Sequence, residues 1–126
     1  MKEFAAQYES DSGRVVLMTS GLHKGPMNSE VAYAVSKAAL ASATPMLADE
    51  LADRGITVNC INPGPTDTGW GIAELDPAHR MPAGRWGEPD DAARLVAWLC
   101  SDDARWITGQ VIDSEGGFRR WACQNR

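Results

Sequence analysis

The sequence predicts an α/β protein in which a parallel sheet lies between two layers of helices. Residues 14–19 form a continuous apolar run without polar alternation, as expected for a strand that is buried on both faces of a parallel sheet. Strand-like and helix-like segments then alternate in the order strand, helix, strand, helix, strand. Right-handed crossovers between such segments give a three-layer unit with about three strands.

The first half of the chain predicts one strand and one long helix. The strand over residues 14–19 is followed by a Gly- and Pro-rich loop and then by a helix over residues 30–54. Asn28 or Ser29 offers a side chain that can cap the start of this helix. Gly55 offers the left-handed residue that commonly ends a helix.

The second half predicts two further strands around a second helix. A strand over residues 56–61 ends sharply at an Asn-Pro-Gly-Pro turn. Residues 66–87 are expected to be irregular because glycines interrupt them repeatedly. Pro89 is placed to begin a helix, with two aspartates near its positive end, and residues 110–113 form the last strand.

Composition excludes several classes of function. The 126 residues carry a net charge of −5, which argues against binding to nucleic acid. The sequence has no run of about 18 apolar residues, so no membrane span is expected. Its start does not have the pattern of a secretory signal, and its three cysteines (Cys60, Cys100 and Cys123) suit reduced thiols in the cytoplasm. Two histidines and no ligand-like spacing predict no metal site.

Three polar residues form a candidate catalytic group. Tyr33 and Lys37 are four residues apart on an apolar helical stretch, so they share one helix face. An isolated phenol titrates near pH 10, and a neighbouring ammonium favours its phenolate form. Ser20 ends a strand thirteen residues before Tyr33 and can donate a hydrogen bond to a substrate oxygen while the phenol moves a proton.

Several blocks of the sequence follow one another in the order found in the C-terminal half of a short-chain dehydrogenase/reductase, and they resemble that family. Within the family, the resemblance is greatest to the 3-oxoacyl-thioester reductases and small alcohol dehydrogenases. The blocks that carry the resemblance are Thr19-Ser20-Gly21, Tyr33-Ala34-Val35-Ser36-Lys37, Arg54-Gly55-Ile56-Thr57-Val58-Asn59, Asn62-Pro63-Gly64-Pro65-Thr66-Asp67-Thr68, Gly84-Arg85-Trp86-Gly87-Glu88-Pro89 and Thr108-Gly109-Gln110-Val111-Ile112-Asp113. The resemblance implies a Rossmann-like fold and hydride transfer between NAD or NADP and a ketone or secondary alcohol. It also implies that Tyr33 is the acid/base, that Lys37 holds the nicotinamide ribose and that Ser20 binds the substrate oxygen.

The resemblance further assigns a cofactor-binding turn and a substrate lid. Pro63 and Gly64 would close over the nicotinamide, although a turn of this kind also simply ends a strand. Main-chain groups near Thr66 would hold the carboxamide, and the Thr68 hydroxyl would contact the carboxamide or the phosphates, although threonines also cap helices. Trp70 lies where the variable lid of the family begins, so it is a candidate contact for substrate or for an oligomer partner.

One expected motif is missing from the printed sequence. The family carries a Gly-rich phosphate-binding turn after its first strand, and no such turn precedes Ser20 here. Residues 1–126 are therefore expected to form one partial Rossmann-like domain without the N-terminal dinucleotide-binding half. An exposed edge on the 14–19 strand would then favour a homo-oligomer or a complementing N-terminal half. The alternative functions are a non-catalytic assembly or interaction module and one part of a split enzyme.

Overall fold

A computed structural model defines the fold over most of the chain. It describes residues 2–10, 12–25, 29–69, 72 and 76–121. Three residues named above, Asn28, Trp70 and Cys123, lie outside the described residues, so the cap and lid predictions that involve Asn28 and Trp70 stay predictions.

The described strands form one parallel sheet. They are β1 (Gly13–Met18), β2 (Ile56–Asn62) and β3 (Val111–Asp113), in the spatial order β1-β2-β3. Gly13 of β1 lies opposite Ile56 of β2, and Cys60 of β2 lies opposite Val111 of β3. The predicted strands are confirmed to within one residue at each end.

Helices cover both faces of this sheet and confirm the predicted three layers. They are α1 (Lys2–Gln7), α2 (Val31–Leu51) and α3 (Pro89–Leu99). On one face, Ala48 and Leu51 of α2 pack with Val58 of β2. On the other face, Ala92 and Leu99 of α3 pack with Ile61 of β2. Successive side chains of a strand point to opposite faces, so β2 supplies both cores. No helix in the described part of the chain is long and apolar enough to cross a bilayer.

The start of α2 differs from its predicted cap. The residue at the N-cap position is Glu30, and no side-chain hydrogen bond caps the helix there. Ser29 has a φ of 70°, in the left-handed region, instead of the extended backbone that a capping serine adopts. The prediction that Ser29 caps α2 is therefore wrong. A local sequence pattern could not show this backbone conformation.

The start of α3 agrees with the sequence. Pro89 is its first residue, and Asp90 and Asp91 lie in its first turn. The Asp91 carboxylate accepts hydrogen bonds from Arg85 at 2.7 Å and from the Glu88 amide at 2.9 Å. The Arg85 guanidinium, assisted by the Glu88 amide, lowers the pKa of Asp91 to about 2.

Candidate functional site

The candidate site lies at the carboxyl edge of the sheet. Because all three strands are parallel, the segments that follow Met18, Asn62 and Asp113 meet along this edge. Ser20 lies two residues beyond the end of β1, and Gly64 lies two residues beyond the end of β2. Ligands of open parallel sheets bind at this edge, so the fold places both predicted segments at the expected location.

Tyr33 and Lys37 lie one turn apart near the start of α2. The Lys37 Nζ atom is 5.7 Å from the centre of the Tyr33 ring, a distance typical of a cation–π contact. Tyr33 is 46% exposed. The structure therefore brings the predicted phenol and ammonium together.

Two hydrogen bonds tie Lys37 to the end of β1. Its Nζ donates to the carbonyl oxygen of Met18 at 3.1 Å, and the Thr19 hydroxyl donates to the Lys37 carbonyl oxygen at 2.8 Å. Ser20 follows directly, half-buried and with an extended backbone. These contacts hold the ammonium against the segment that leads into Ser20.

A buried cysteine lies behind this group. Cys60 of β2 is fully buried, and burial raises the pKa of its thiol. Hydrogen bonds with Thr44 and Thr19 and the charge of Lys37 act in the opposite direction and lower this pKa, but their effect is smaller. A buried neutral thiol is a poor nucleophile. Cys60 is thus a packing residue.

The turn after β2 requires a glycine. Gly64 has a φ of 69°, and a Cβ atom there would lie 2.7 Å from the Cα atom of Glu115. The Gly64 amide donates to the Asn62 side-chain oxygen at 3.1 Å. Backbone strain and close approach both exclude other residues at this position, and the turn is held in one conformation.

The threonines that follow this turn differ in their surroundings. The Thr66 hydroxyl donates to the carbonyl oxygens of Pro63 and Gly64, both at 3.3 Å, so it folds back on its own turn. Thr66 and Gly87 form a parallel bridge in which the Gly87 amide donates to the Pro65 carbonyl and the Asp67 amide donates to the Gly87 carbonyl. The amide and carbonyl of Thr66 take no part in these bonds and therefore point away from Gly87. Thr68 is exposed.

Sequence patterns missed a polar cluster at the same edge. We call Lys24, Asn62, Asp113, Glu115 and Arg120 the edge cluster. Asn62 Nδ2 donates to Asp113 at 2.9 Å and to Glu115 at 2.6 Å, Arg120 forms a two-bond ion pair with Glu115, and Lys24 pairs with Asp113. The Arg120 guanidinium lowers the pKa of Glu115, whereas burial opposes this shift. Only the position of Asn62 at a strand end could have signalled the cluster.

Comparison with known proteins identifies the family. A family model described as Enoyl-(Acyl carrier protein) reductase matches residues 1–119. The chain is 38% identical to the short-chain dehydrogenase/reductase FrzI of a Cladobotryum species, a match that covers 90% of this chain and 49% of FrzI. The chain belongs to the short-chain dehydrogenase/reductase family. The family resemblance and the Rossmann-like fold predicted from the sequence are thereby confirmed.

Comparison with two other proteins shows what share of a related protein this chain corresponds to. It is 51% identical to the uncharacterized oxidoreductase YjdA of Bacillus subtilis (strain 168), over 94% of this chain and 49% of YjdA. The crystal structure of landomycin C-6 ketoreductase LanV with bound NADP and rabelomycin matches 92% of this chain and 45% of LanV, with a TM-score of 0.79 and 37% identity. The chain spans about half the length of the curated relatives that it matches.

Proposed function

We propose that this chain carries the proton-transfer and nicotinamide-binding half of an NAD(P)-dependent oxidoreductase. The reaction is hydride exchange between a nicotinamide cofactor and a small ketone or secondary alcohol. One observation carries the proposal. The Lys37 ammonium lies beside the Tyr33 ring and is bonded to the Met18 carbonyl, two residues before Ser20. This arrangement, which supports the proposal, holds a positive charge beside the phenol and against the segment that leads into Ser20.

Each of the three side chains has a distinct role in this proposal. Tyr33 donates its phenolic proton to the carbonyl oxygen during reduction and takes a proton back during oxidation. The charge of Lys37 favours the phenolate that remains. The Ser20 hydroxyl donates a hydrogen bond to the same substrate oxygen and stabilises its developing negative charge.

The residues present fit one end of a nicotinamide cofactor. Lys37 has donors for ribose hydroxyls, Gly64 gives the turn its left-handed conformation, and the amide and carbonyl of Thr66 point away from Gly87, where a carboxamide can bind them. Pro63 shapes this turn, and Thr68 would contact the carboxamide or the phosphates. When bound, the cofactor supplies or accepts the hydride. The bound NADP of LanV supports this assignment.

For the pyrophosphate end of the cofactor, the printed sequence contains no comparable binding residues. No Gly-rich turn precedes Ser20, so the usual backbone cradle for phosphates is not encoded in these residues. A complementing N-terminal half would have to supply it. Trp70 stays a proposed contact for substrate or for an oligomer partner.

A second candidate function is an assembly or interaction module, or one part of a split enzyme. The observation that favours it is the exposed side of β1, which pairs with β2 alone among the described strands. Unpaired strand edges bind other strands. The chain would in that case associate without catalysing a reaction by itself.

Fluorescence titration with NADPH and NADH separates these functions. We expect saturable binding at micromolar concentrations, and the Lys37→Met variant should bind about tenfold more weakly because it loses a charged donor. Arg94→Met removes an exposed cation from α3 and should leave the affinity unchanged. A titration without binding up to millimolar cofactor would refute the oxidoreductase function for the chain alone.

A further inference from the structure

The ion pair between Glu115 and Arg120 is more buried than the ion pair between Lys24 and Asp113 in the same edge cluster. Both side chains are largely buried, with exposures of 10% and 14%, and two parallel hydrogen bonds join them. A planar guanidinium that binds a carboxylate in this way fixes both distance and orientation. Arg120 also lies 5.1 Å from the centre of the Phe118 ring.

This ion pair packs against the loop that follows Ser20. A Cβ atom at Gly21 would collide with the Arg120 guanidinium and the Glu115 carboxylate, and one at Gly25 would lie 2.8 Å from Arg120 Cδ. The turn between these glycines is closed by the Lys24 amide, which donates to the Gly21 carbonyl at 2.9 Å. Arg120 therefore packs closely against the backbone of the loop that follows Ser20.

The same pair reaches the turn after β2. Glu115 accepts a hydrogen bond from the side-chain amide of Asn62, and the other end of that amide accepts one from the backbone of Gly64. The Glu115 backbone also fills the space that a Cβ of Gly64 would need. A continuous chain of contacts thus joins Arg120 to Gly64.

We propose that Arg120, held by Glu115, is a positioning residue that fixes the Ser20 loop and the Pro63–Gly64 turn relative to each other. The inference rests on the proposed function, which gives these two segments the substrate oxygen and the nicotinamide. Neither Arg120 nor Glu115 touches the reacting atoms. Their effect is to keep two glycine-containing segments in one arrangement, which lowers the cost of binding and orienting the reactants.

Amide hydrogen exchange measured by NMR tests this inference without cofactor or substrate. The probes are the amides of Lys24 and Gly64, and the reference is the Cys60 amide, which bonds to Gln110 inside the sheet. We expect Arg120→Ala to accelerate exchange at both probes about tenfold while Cys60 is unchanged. Arg120→Lys retains the charge without the planar fork and should restore part of the protection.

Arg119→Ala provides the matched control, because it removes an exposed arginine from the adjacent position. It should leave all three amides unchanged. Unchanged probes in Arg120→Ala, or acceleration that is equal at Cys60, would overturn the positioning role. If Arg120→Ala does not fold, equal exchange in Arg120→Lys and the wild type would overturn it as well. Local acceleration in a chain that binds no cofactor would support the positioning role and refute the proposed function.

Discussion

At the scale of single residues, Lys37 links the candidate chemistry to the fold. The four-residue spacing from Tyr33 predicted that the two side chains share a helix face, and the 5.7 Å contact confirms it. The hydrogen bond from Lys37 to the Met18 carbonyl could not be predicted from spacing, because it depends on how α2 packs against β1. This bond places the ammonium next to the Ser20 segment.

The edge cluster shows more clearly what the sequence leaves undetermined. Glu115 and Arg120 are only five residues apart, but Asn62 and Gly21 are distant in the chain. Their contacts arise because parallel strands bring their carboxyl ends to one edge. No periodic pattern or short motif in the sequence indicates these contacts. The sequence therefore suggested candidate catalytic residues but did not indicate the edge cluster.

Glu115 gives a pH-dependent prediction. Hydrogen bonds from Arg120 and Asn62 hold its pKa below the ordinary value of 4.5, against the effects of burial and of the nearby Asp113, which pairs with Lys24. A carboxylate with a lowered folded-state pKa stabilises the fold above pH 4.5, and this contribution is lost as the pH falls through the lowered value. Glu115→Gln should therefore reduce the free energy of unfolding by about 1.5–3 kcal/mol at neutral pH.

Urea unfolding near neutral pH and again near pH 3 measures this effect. The difference between the wild type and Glu115→Gln should shrink at the acidic pH, because pH 3 lies below the ordinary pKa of 4.5 and the carboxylate is protonated in the unfolded chain. Glu50→Gln, which removes an exposed carboxylate from α2, is the control and should change little at either pH. A difference that is the same at both pH values would contradict the role assigned to the charge of Glu115.

At the scale of elements, the strands and α3 were the most predictable parts. The apolar run of β1 and the Pro-Asp-Asp start of α3 carry local signals, and the structure confirms both. The start of α2 was not predictable, because Ser29 adopts a left-handed backbone that its residue type does not favour. Gln110 was assigned to β3 but precedes it, although its carbonyl accepts a hydrogen bond from the Cys60 amide of β2.

Strand β1 gives a prediction about association. All seven residues of β2 are buried, whereas most of β1 is half-buried and Met18 is 37% exposed. We expect the purified chain to elute and scatter light as a species larger than its 13.6 kDa monomer, because the exposed edge of β1 pairs with another strand. Size-exclusion chromatography with light scattering measures this mass.

Two lysine variants locate the contact. Met18→Lys places a charge on the edge strand and should shift the chain towards monomer, since charged residues on edges disfavour strand pairing. Met46→Lys places the same charge at an exposed position on α2 and should leave the mass unchanged. A monomeric wild type, or dissociation by Met46→Lys alone, would contradict association through β1.

At the scale of the whole molecule, the chain combines one half of a family fold with three candidate proton-transfer residues, Ser20, Tyr33 and Lys37. It covers about half of each matched relative, and its sheet has three parallel strands between helical layers. The carboxyl edge of this sheet holds Ser20, the Pro63–Gly64 turn and the edge cluster together. The proposed function uses the side chains at this edge for the chemistry of the carbonyl, and it needs a complementing half for the phosphate contacts.

The most direct test of this assignment is the rate of NADPH oxidation in the presence of a small ketone. Supplied with a complementing N-terminal half, the wild-type chain should turn over, and Tyr33→Phe should lose at least about a hundredfold in kcat while retaining its fold and cofactor affinity, because only the proton donor is removed. Tyr8→Phe, which alters the other tyrosine, should keep wild-type turnover. Unchanged turnover in Tyr33→Phe, or a wild type without turnover, would contradict the account.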